Sequence, residues 1–273
     1  MDAFNPQELR ELSIPTSVSH KGQNGKLLII AGSTLFHAAS LWPLEIASKI
    51  VDMVYYSSIE ENNEIVKEIK KDWRNGIVIP RNKVDQYIEE ADAILIGPGL
   101  PRKEGEEKGD DDTKLLTEKL LREYPNKQWI IDGGSLQTIN PDVLPKNAIL
   151  TPHHQEFEAL FGIPATEKNI QDMAKKYACV ILVKGDKDTI CSATSCVHVV
   201  GGNAGMTKGG TGDVLAGLVA ALATKNDPFL AAKAGSYFNK KAGENLYKKV
   251  GFYFNASDLV EEIPIIMASY LTQ

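Results

Sequence analysis

The sequence predicts an α/β protein of three layers, with helices on both faces of a mostly parallel central sheet. Short apolar runs of strand length alternate with helix-length segments along most of the chain. Most of those runs end on Gly, Asp, Pro or Ser, the residues that turn a chain. Across all 273 residues there is no internal repeat, no low-complexity linker and no break in composition, so residues 1–273 are read as one domain.

Strands and helices follow in order. "KLLIIAG" (26–32) is the first strand and leads to a helix near 38–50. "MVYYSS" (53–58) is the next strand, followed by charged helical segments. "DAILIGPG" (92–99) runs straight into Gly-Pro-Gly, and "QWIIDGG" (128–134) ends on Asp132. "AILTPHHQE" (148–156) and "CVILVKGDKD" (179–188) complete the series. "TICSATSCVHVV" (189–200) alternates like a hairpin near the sheet edge. Two apolar helices, about 211–224 and 228–247, come next, and a short one follows the cap-like "NASDLVEE".

Composition narrows the function classes. A net charge of −6 leaves no electrostatic footprint for nucleic acid or an anionic membrane. No apolar run reaches membrane-spanning length, and the acidic, amphipathic start "MDAFNPQELRELSI" is unlike a signal peptide. The three cysteines, Cys179, Cys191 and Cys196, form no CxxC pair. Cys191 and Cys196 flank "SATS" and are placed to face each other across a hairpin, but reduced, half-buried thiols and a cytoplasmic protein are the expectation. The segment 102–114 carries ten charges in thirteen residues. It reads as a solvated loop whose Asp110–Asp112 run enters a helix N-terminus, rather than as a metal site.

In an open parallel sheet, ligands sit beyond the carboxyl ends of the strands. That rule places Gly32-Ser33, Gly97-Pro98-Gly99, Asp132-Gly133-Gly134, Thr151-Pro152-His153 and Lys184-Gly185 on one rim. "GMTKGGTGDVLAG" (205–217) closes the list. Taken alone it has two readings: a turn in which Thr211 or Asp213 caps the following helix, or an anion site built from glycine backbone and a helix N-terminus. Together the turns look like a phosphate-rich ligand site.

"SHKGQNGKLLIIAGS", "ILIGPGL", "TPHHQEF", "ILVKGDKD" and "GGNAGMTKGGTGDVLAG" occur in the order and at the spacing of the ATP- or ADP-dependent NAD(P)H-hydrate dehydratases. The chain resembles this family, of the ribokinase-like superfamily, from about Ser19 to Ser269. The resemblance implies a ribokinase-like α/β/α fold and a repair reaction on hydrated NADH and NADPH. The ring hydroxyl is phosphorylated by ATP or ADP, and phosphate then leaves to restore the double bond. Implied roles follow residue by residue. Asp213 is the general base, and the amides of Gly209, Gly210, Thr211 and Gly212 form the anion hole. Lys184, Gly185, Asp186, Lys187 and Asp188, with Asn203 and Gly212, contact the nucleotide. Ala39, Gly99, His153 and Asp213 contact the hydrated cofactor, and Glu156 orients Mg²⁺ through water. Nucleotide and hydrated cofactor are expected to meet at the glycine loop. His154 is read as a surface residue, and partners are small molecules, with a homo-oligomer open.

The departures from the family are specific. Where members read "DADAL" this chain has Asp132-Gly133-Gly134-Ser135-Leu136, without the second acid. "HPGE" is here His153-His154-Gln155-Glu156, and "GGS…YTGA" is Ala31-Gly32-Ser33 followed by Phe36-His37-Ala38-Ala39. Lys208 beside the glycine loop is expected to add a phosphate contact. The epimerase domain often fused to this family is expected to be absent before Ser19. A kinase of a vitamin precursor is one alternative, although such enzymes usually carry cysteine where this chain has Asp213. A catalytically silent nucleotide-binding protein is another. A Rossmann dehydrogenase is disfavoured, because the first strand leads to "AGSTLFHA" and not to GxGxxG.

Overall fold

The structure is a computed structural model that describes residues 2–102 and 106–271. Residues 103–105, near the start of the charged segment, and residues 1, 272 and 273 lie outside it. Among the described residues the strands are β1 (Asp2–Ala3), β2 (Lys26–Ile30), β3 (Met53–Ser57), β4 (Ile77–Val78), β5 (Ala93–Ile96), β6 (Gln128–Ile131), β7 (Ile149–Leu150), β8 (Val180–Val183), β9 (Lys187–Cys191) and β10 (Cys196–Val200). They form one sheet in the order β1-β10-β9-β8-β7-β6-β5-β2-β3-β4. Only β9 runs antiparallel to its neighbours, β8 and β10. The mostly parallel sheet and the hairpin are therefore as expected. The two-residue edge strands β1 and β4 carry too short a pattern to be read from sequence.

The helices are α1 (Ala38–Ser48), α2 (Glu60–Ile69), α3 (Val84–Glu90), α4 (Thr113–Glu123), α5 (Gly133–Thr138), α6 (His154–Phe161), α7 (Glu167–Tyr177), α8 (Thr211–Ala223), α9 (Pro228–Val250) and α10 (Ala256–Leu271). Strand side chains alternate between two cores. Leu27, Ile29 and Leu95 join α1, α8, α9 and α10 on one face. Leu28, Ile30, Ile94 and Ile96 meet α3 to α7 on the other. α8 is apolar around its whole circumference because it lies inside the first layer. A Cβ on its Gly217 would stand 2.5 Å from the Pro43 backbone, so α1 and α8 cross at backbone contact. α10 is longer than the short helix expected. It continues through Pro264 because Ile263, Ile266, Met267 and Leu271 pack on the core.

Two expectations are corrected here. Cys191 and Cys196 stand opposite each other in the β9–β10 register and are joined as a disulfide, while Cys179 is free and buried. The hairpin brings the two Cα atoms to 4.1 Å, a proximity that five residues of separation alone did not establish. The argument for reduced thiols fails with it. Nor is the acidic run simply solvated. Asp110 accepts from the Thr34 amide at 2.8 Å, Asp111 pairs with Arg81 at 2.7 Å, and Asp112 caps α4 by accepting from the Leu115 amide at 2.9 Å. Among the described residues no helix is long and apolar enough to cross a membrane.

Candidate active site

Two clefts open at the carboxyl edge of the sheet. The first encloses about 680 Å³ between the β2–α1 loop, the Gly-Pro-Gly turn and the glycine loop. Ala39, Gly99, His153 and Asp213 all line it. The second encloses about 620 Å³ between the β8–β9 turn, residues 201–207 and α9. Lys184, Gly185, Asp186, Asp188, Asn203, Thr211 and Gly212 line that one. His153, Lys184 and Gly212 belong to both, so the clefts share a wall. Gly209 and Gly210 face the first cleft, and Lys187 lines neither. Strand alternation explains Lys187: Asp188 points inward, while Lys187 turns out to pair with Glu167 at 3.0 Å.

The glycine loop answers its own two readings. The cap of α8 is Gly210, left-handed at φ 93° and without a side-chain cap hydrogen bond, while the Asp213 carboxyl accepts only from its own backbone amide. Neither Thr211 nor Asp213 is the cap. The Thr211 hydroxyl instead donates back to the Met206 carbonyl at 2.6 Å, tying the loop down. A Cβ at Gly210 would lie 2.3 Å from the Trp42 ring, so this position admits only glycine on both counts. Lys208 makes no contribution to the clefts. Its ammonium donates to the Phe252 and Phe254 carbonyls and spans the loop to the chain before α10, which corrects the expected phosphate contact.

Charge concentrates on the shared wall. The Lys184 ammonium, at the end of β8, lies 2.9 Å from Asp132 Oδ1 and 3.9 Å from Glu156 Oε2. It is turned inward rather than snorkelled to solvent. Burial alone would push Lys184 down, but Asp132, Glu156 and Asp213 together hold it above the ordinary lysine range. Asp213 is on the losing side of the same balance. Burial first, and then Asp132, push its carboxyl up, with Glu156 adding to them against the pull of Lys184, so it titrates at about 7. A carboxyl poised there accepts a proton at neutral pH while remaining basic enough to matter.

His153 and Glu156 form a capping box at the start of α6. The Glu156 amide donates to His153 Nδ1 at 3.2 Å, and Glu156 Oε2 accepts from the His153 amide at 2.9 Å. Both capping and cleft-lining roles are thus combined in His153. Glu156 is buried rather than an exposed first-turn glutamate, and its Oε1 accepts from Gln137 Nε2 at 3.2 Å. With Asp132 Oδ1 taken by Lys184 and Thr151, these carboxylates do not fit direct metal coordination. Among the described residues no group of three or more His, Cys, Asp or Glu is arranged to hold a metal ion. Both oxygens of Glu156 are engaged, Oε1 by Gln137 and Oε2 by the His153 amide.

The lost second acid has a structural counterpart. A Cβ at Gly134 would stand 2.2 Å from the Leu100 carbonyl oxygen, so the chain has closed into the space a side chain would need. Sequence reasoning missed Lys240 and Ser236 on α9. Lys240 Nζ pairs with buried Asp188 at 3.2 Å and donates to the Gly185 carbonyl at 3.0 Å, while the Ser236 hydroxyl donates to Asp188 Oδ2 at 2.7 Å. Asp188 therefore builds the β8–β9 turn from beneath. Nothing in a local pattern marks a lysine inside a helix as its partner.

The α/β/α layers share the fold of a ribokinase-like superfamily protein from Enterococcus faecalis, at a TM-score of 0.80, 22% identity and coverage of 100% of this chain and 97% of that one. Residues 27–265 match the family model described as NAD(P)H-hydrate dehydratase, and the chain belongs to that family. It is 37% identical over 267 residues to the bifunctional NAD(P)H-hydrate repair enzyme Nnr of Methanocaldococcus jannaschii, covering 95% of this chain and 51% of that protein. It is 32% identical over 276 residues to the ADP-dependent (S)-NAD(P)H-hydrate dehydratase of Nitrosopumilus maritimus, covering 93% of this chain and 92% of that one. The chain thus spans about half of the first relative and nearly all of the second. The fold is shared with the ADP/ATP-dependent NAD(P)H-hydrate dehydratase of Bacillus subtilis co-crystallised with ATP/Mg²⁺, at a TM-score of 0.82, 22% identity and 98% coverage of both chains.

Proposed function

We propose that this chain removes water from hydrated NADH and NADPH at the expense of ADP or ATP. The observation that carries the reading is a carboxyl titrating at about 7 in the first cleft, at a helix N-terminus and beside Gly212 and Lys184 of the wall the two clefts share. The hydrated cofactor occupies the first cleft, against Ala39, Gly99 and His153. The nucleotide occupies the second, along Lys184, Gly185, Asp186, Asp188 and Asn203, with its terminal phosphate at Gly209–Gly212.

Asp213 takes the proton of the ring hydroxyl as that oxygen bonds to the terminal phosphorus. The bridging P–O bond breaks, and ADP or AMP departs with the electron pair. The Gly212 amide and the positive end of α8 stabilise the charge on the transferring phosphoryl group, whereas the Thr211 amide donates to the Lys208 carbonyl at 3.4 Å. The C–O bond then breaks, phosphate leaves with its electrons, a ring proton is lost and the double bond returns. Hydroxide is a poor leaving group and phosphate a good one, which is why the nucleotide is consumed. Mg²⁺ entering with the nucleotide would offset phosphate charge, and Glu156 would hold its water shell.

The test is phosphate release coupled to the return of reduced-nicotinamide absorbance, with hydrated NADH or NADPH and either nucleotide. Phosphoryl transfer to a vitamin precursor instead, or nucleotide binding without turnover, would replace this reading by the corresponding alternative.

A further inference from the structure

The loop between β2 and α1 overhangs the first cleft and presents Leu35, Phe36 and His37 to it. Leu35 and Phe36 are exposed, whereas His37 is clamped at two points. Its carbonyl accepts from the Ser40 hydroxyl at 2.7 Å, and Ser40 in turn meets the Tyr56 hydroxyl at 2.7 Å. Its Nδ1 is hydrogen-bonded to Oδ1 of Asn62, a side chain of α2 only 1% exposed.

The orientation of the Asn62 amide is determined by its other partners. Asn62 Nδ2 donates to the Ser33 carbonyl at 3.3 Å and to the Ser58 hydroxyl at 2.9 Å. A carbonyl cannot donate, so the amide nitrogen must face Ser33 and the amide oxygen must face His37. That oxygen only accepts, so Nδ1 carries the proton. In the neutral ring Nε2 is then a lone-pair acceptor on the edge away from the buried anchor. His37, a residue of the cleft lining, is therefore a pre-oriented acceptor on an otherwise exposed loop.

We propose that His37 is a substrate-contacting residue, its Nε2 accepting a hydrogen bond from an N–H or O–H of the hydrated nicotinamide nucleotide, and that Asn62 is its positioning residue. The inference rests on the assignment of the first cleft to that cofactor. It concerns a residue outside the set implied by the family resemblance, at a position where this chain departs from the family's "YTGA".

The test compares His37→Asn, whose amide imitates only the Nδ1 edge, with His37→Gln, whose amide reaches the Nε2 position. Loss of one hydrogen bond raises KM for hydrated NADH by about 5–10-fold in His37→Asn. His37→Gln recovers most of that loss, and KM for ADP or ATP moves less than about twofold in both. Asn62→Ala raises the same KM and adds little on top of His37→Asn, because both act through one acceptor. An unchanged KM in His37→Asn, or equal losses for cofactor and nucleotide, overturns the inference while turnover by the parent enzyme upholds the reaction. Absence of turnover by the parent overturns both.

Discussion

Replacing Asp213 by Asn keeps the side-chain shape and removes its ability to take a proton. The helix should not suffer, since α8 is capped by Gly210 and the asparagine oxygen keeps an acceptor for the backbone amide that Asp213 serves. Stability should instead rise at alkaline pH. Between the ordinary 3.8 and about 7, the folded protein holds a proton on Asp213 that the unfolded chain has released. Stability therefore falls as pH rises through that interval and is level above it. The asparagine variant has no such slope. The interval sets a ceiling of roughly 4 kcal/mol on the gain near pH 8, shrinking to nothing near pH 4. Urea melts of both proteins at the two pH values measure it. Turnover of hydrated NADH should fall about 10²–10⁴-fold, the usual contribution of a positioned base, while ADP binding is retained. Near-parent turnover combined with a loss of stability at pH 8 would refute the reasoning and make Asp213 a structural residue.

Lys184→Met removes the ammonium that draws the titration of Asp213 down, so the acid limb of the kcat/KM profile should move to higher pH. A limb that stays in place shows that another group controls it. Because Lys184 lines both clefts, KM for nucleotide and for hydrated cofactor should both rise, and a change confined to one would separate its roles. Gly134→Ala drives a methyl to 2.2 Å from the Leu100 carbonyl and should cost about 1–3 kcal/mol in a denaturant melt. A parent-like midpoint would mean that the loop yields freely. Lys240→Met leaves Asp188 buried without its cation and should cost about 3–5 kcal/mol, with weaker ADP binding by titration as the β8–β9 turn loosens.

Residues that carry a local signature were readable from the chain. β2, β5, β6 and β8 are short apolar runs closed by turn residues, and the sheet rule then placed their ends on one rim. Ala39, Gly99, His153 and Asp213, spread over 175 positions, were assembled from that rule and the family motifs, and they line one cleft. Lys187 shows where motif reading overreached. A run of consecutive residues was assigned to one ligand, although strand alternation turns every second side chain away.

The sequence by itself determined the α/β order, the rim of turns and the identity of the glycine loop, because turn chemistry and strand length depend on neighbours in the chain. Only the tertiary structure decided how these parts act on each other. Asp213 titrates near 7 because burial and Asp132 outweigh Lys184, a balance among elements 29 to 81 residues apart. The anchors of His37 and Asp188 lie on helices that no local pattern connects to them. Lys208 is spent on carbonyls 44 and 46 residues away, and Cys191 meets Cys196 because the hairpin register sets them opposite. Desolvation and pairing are properties of the packed interior, and they come into being only when distant segments exclude water from the same small volume.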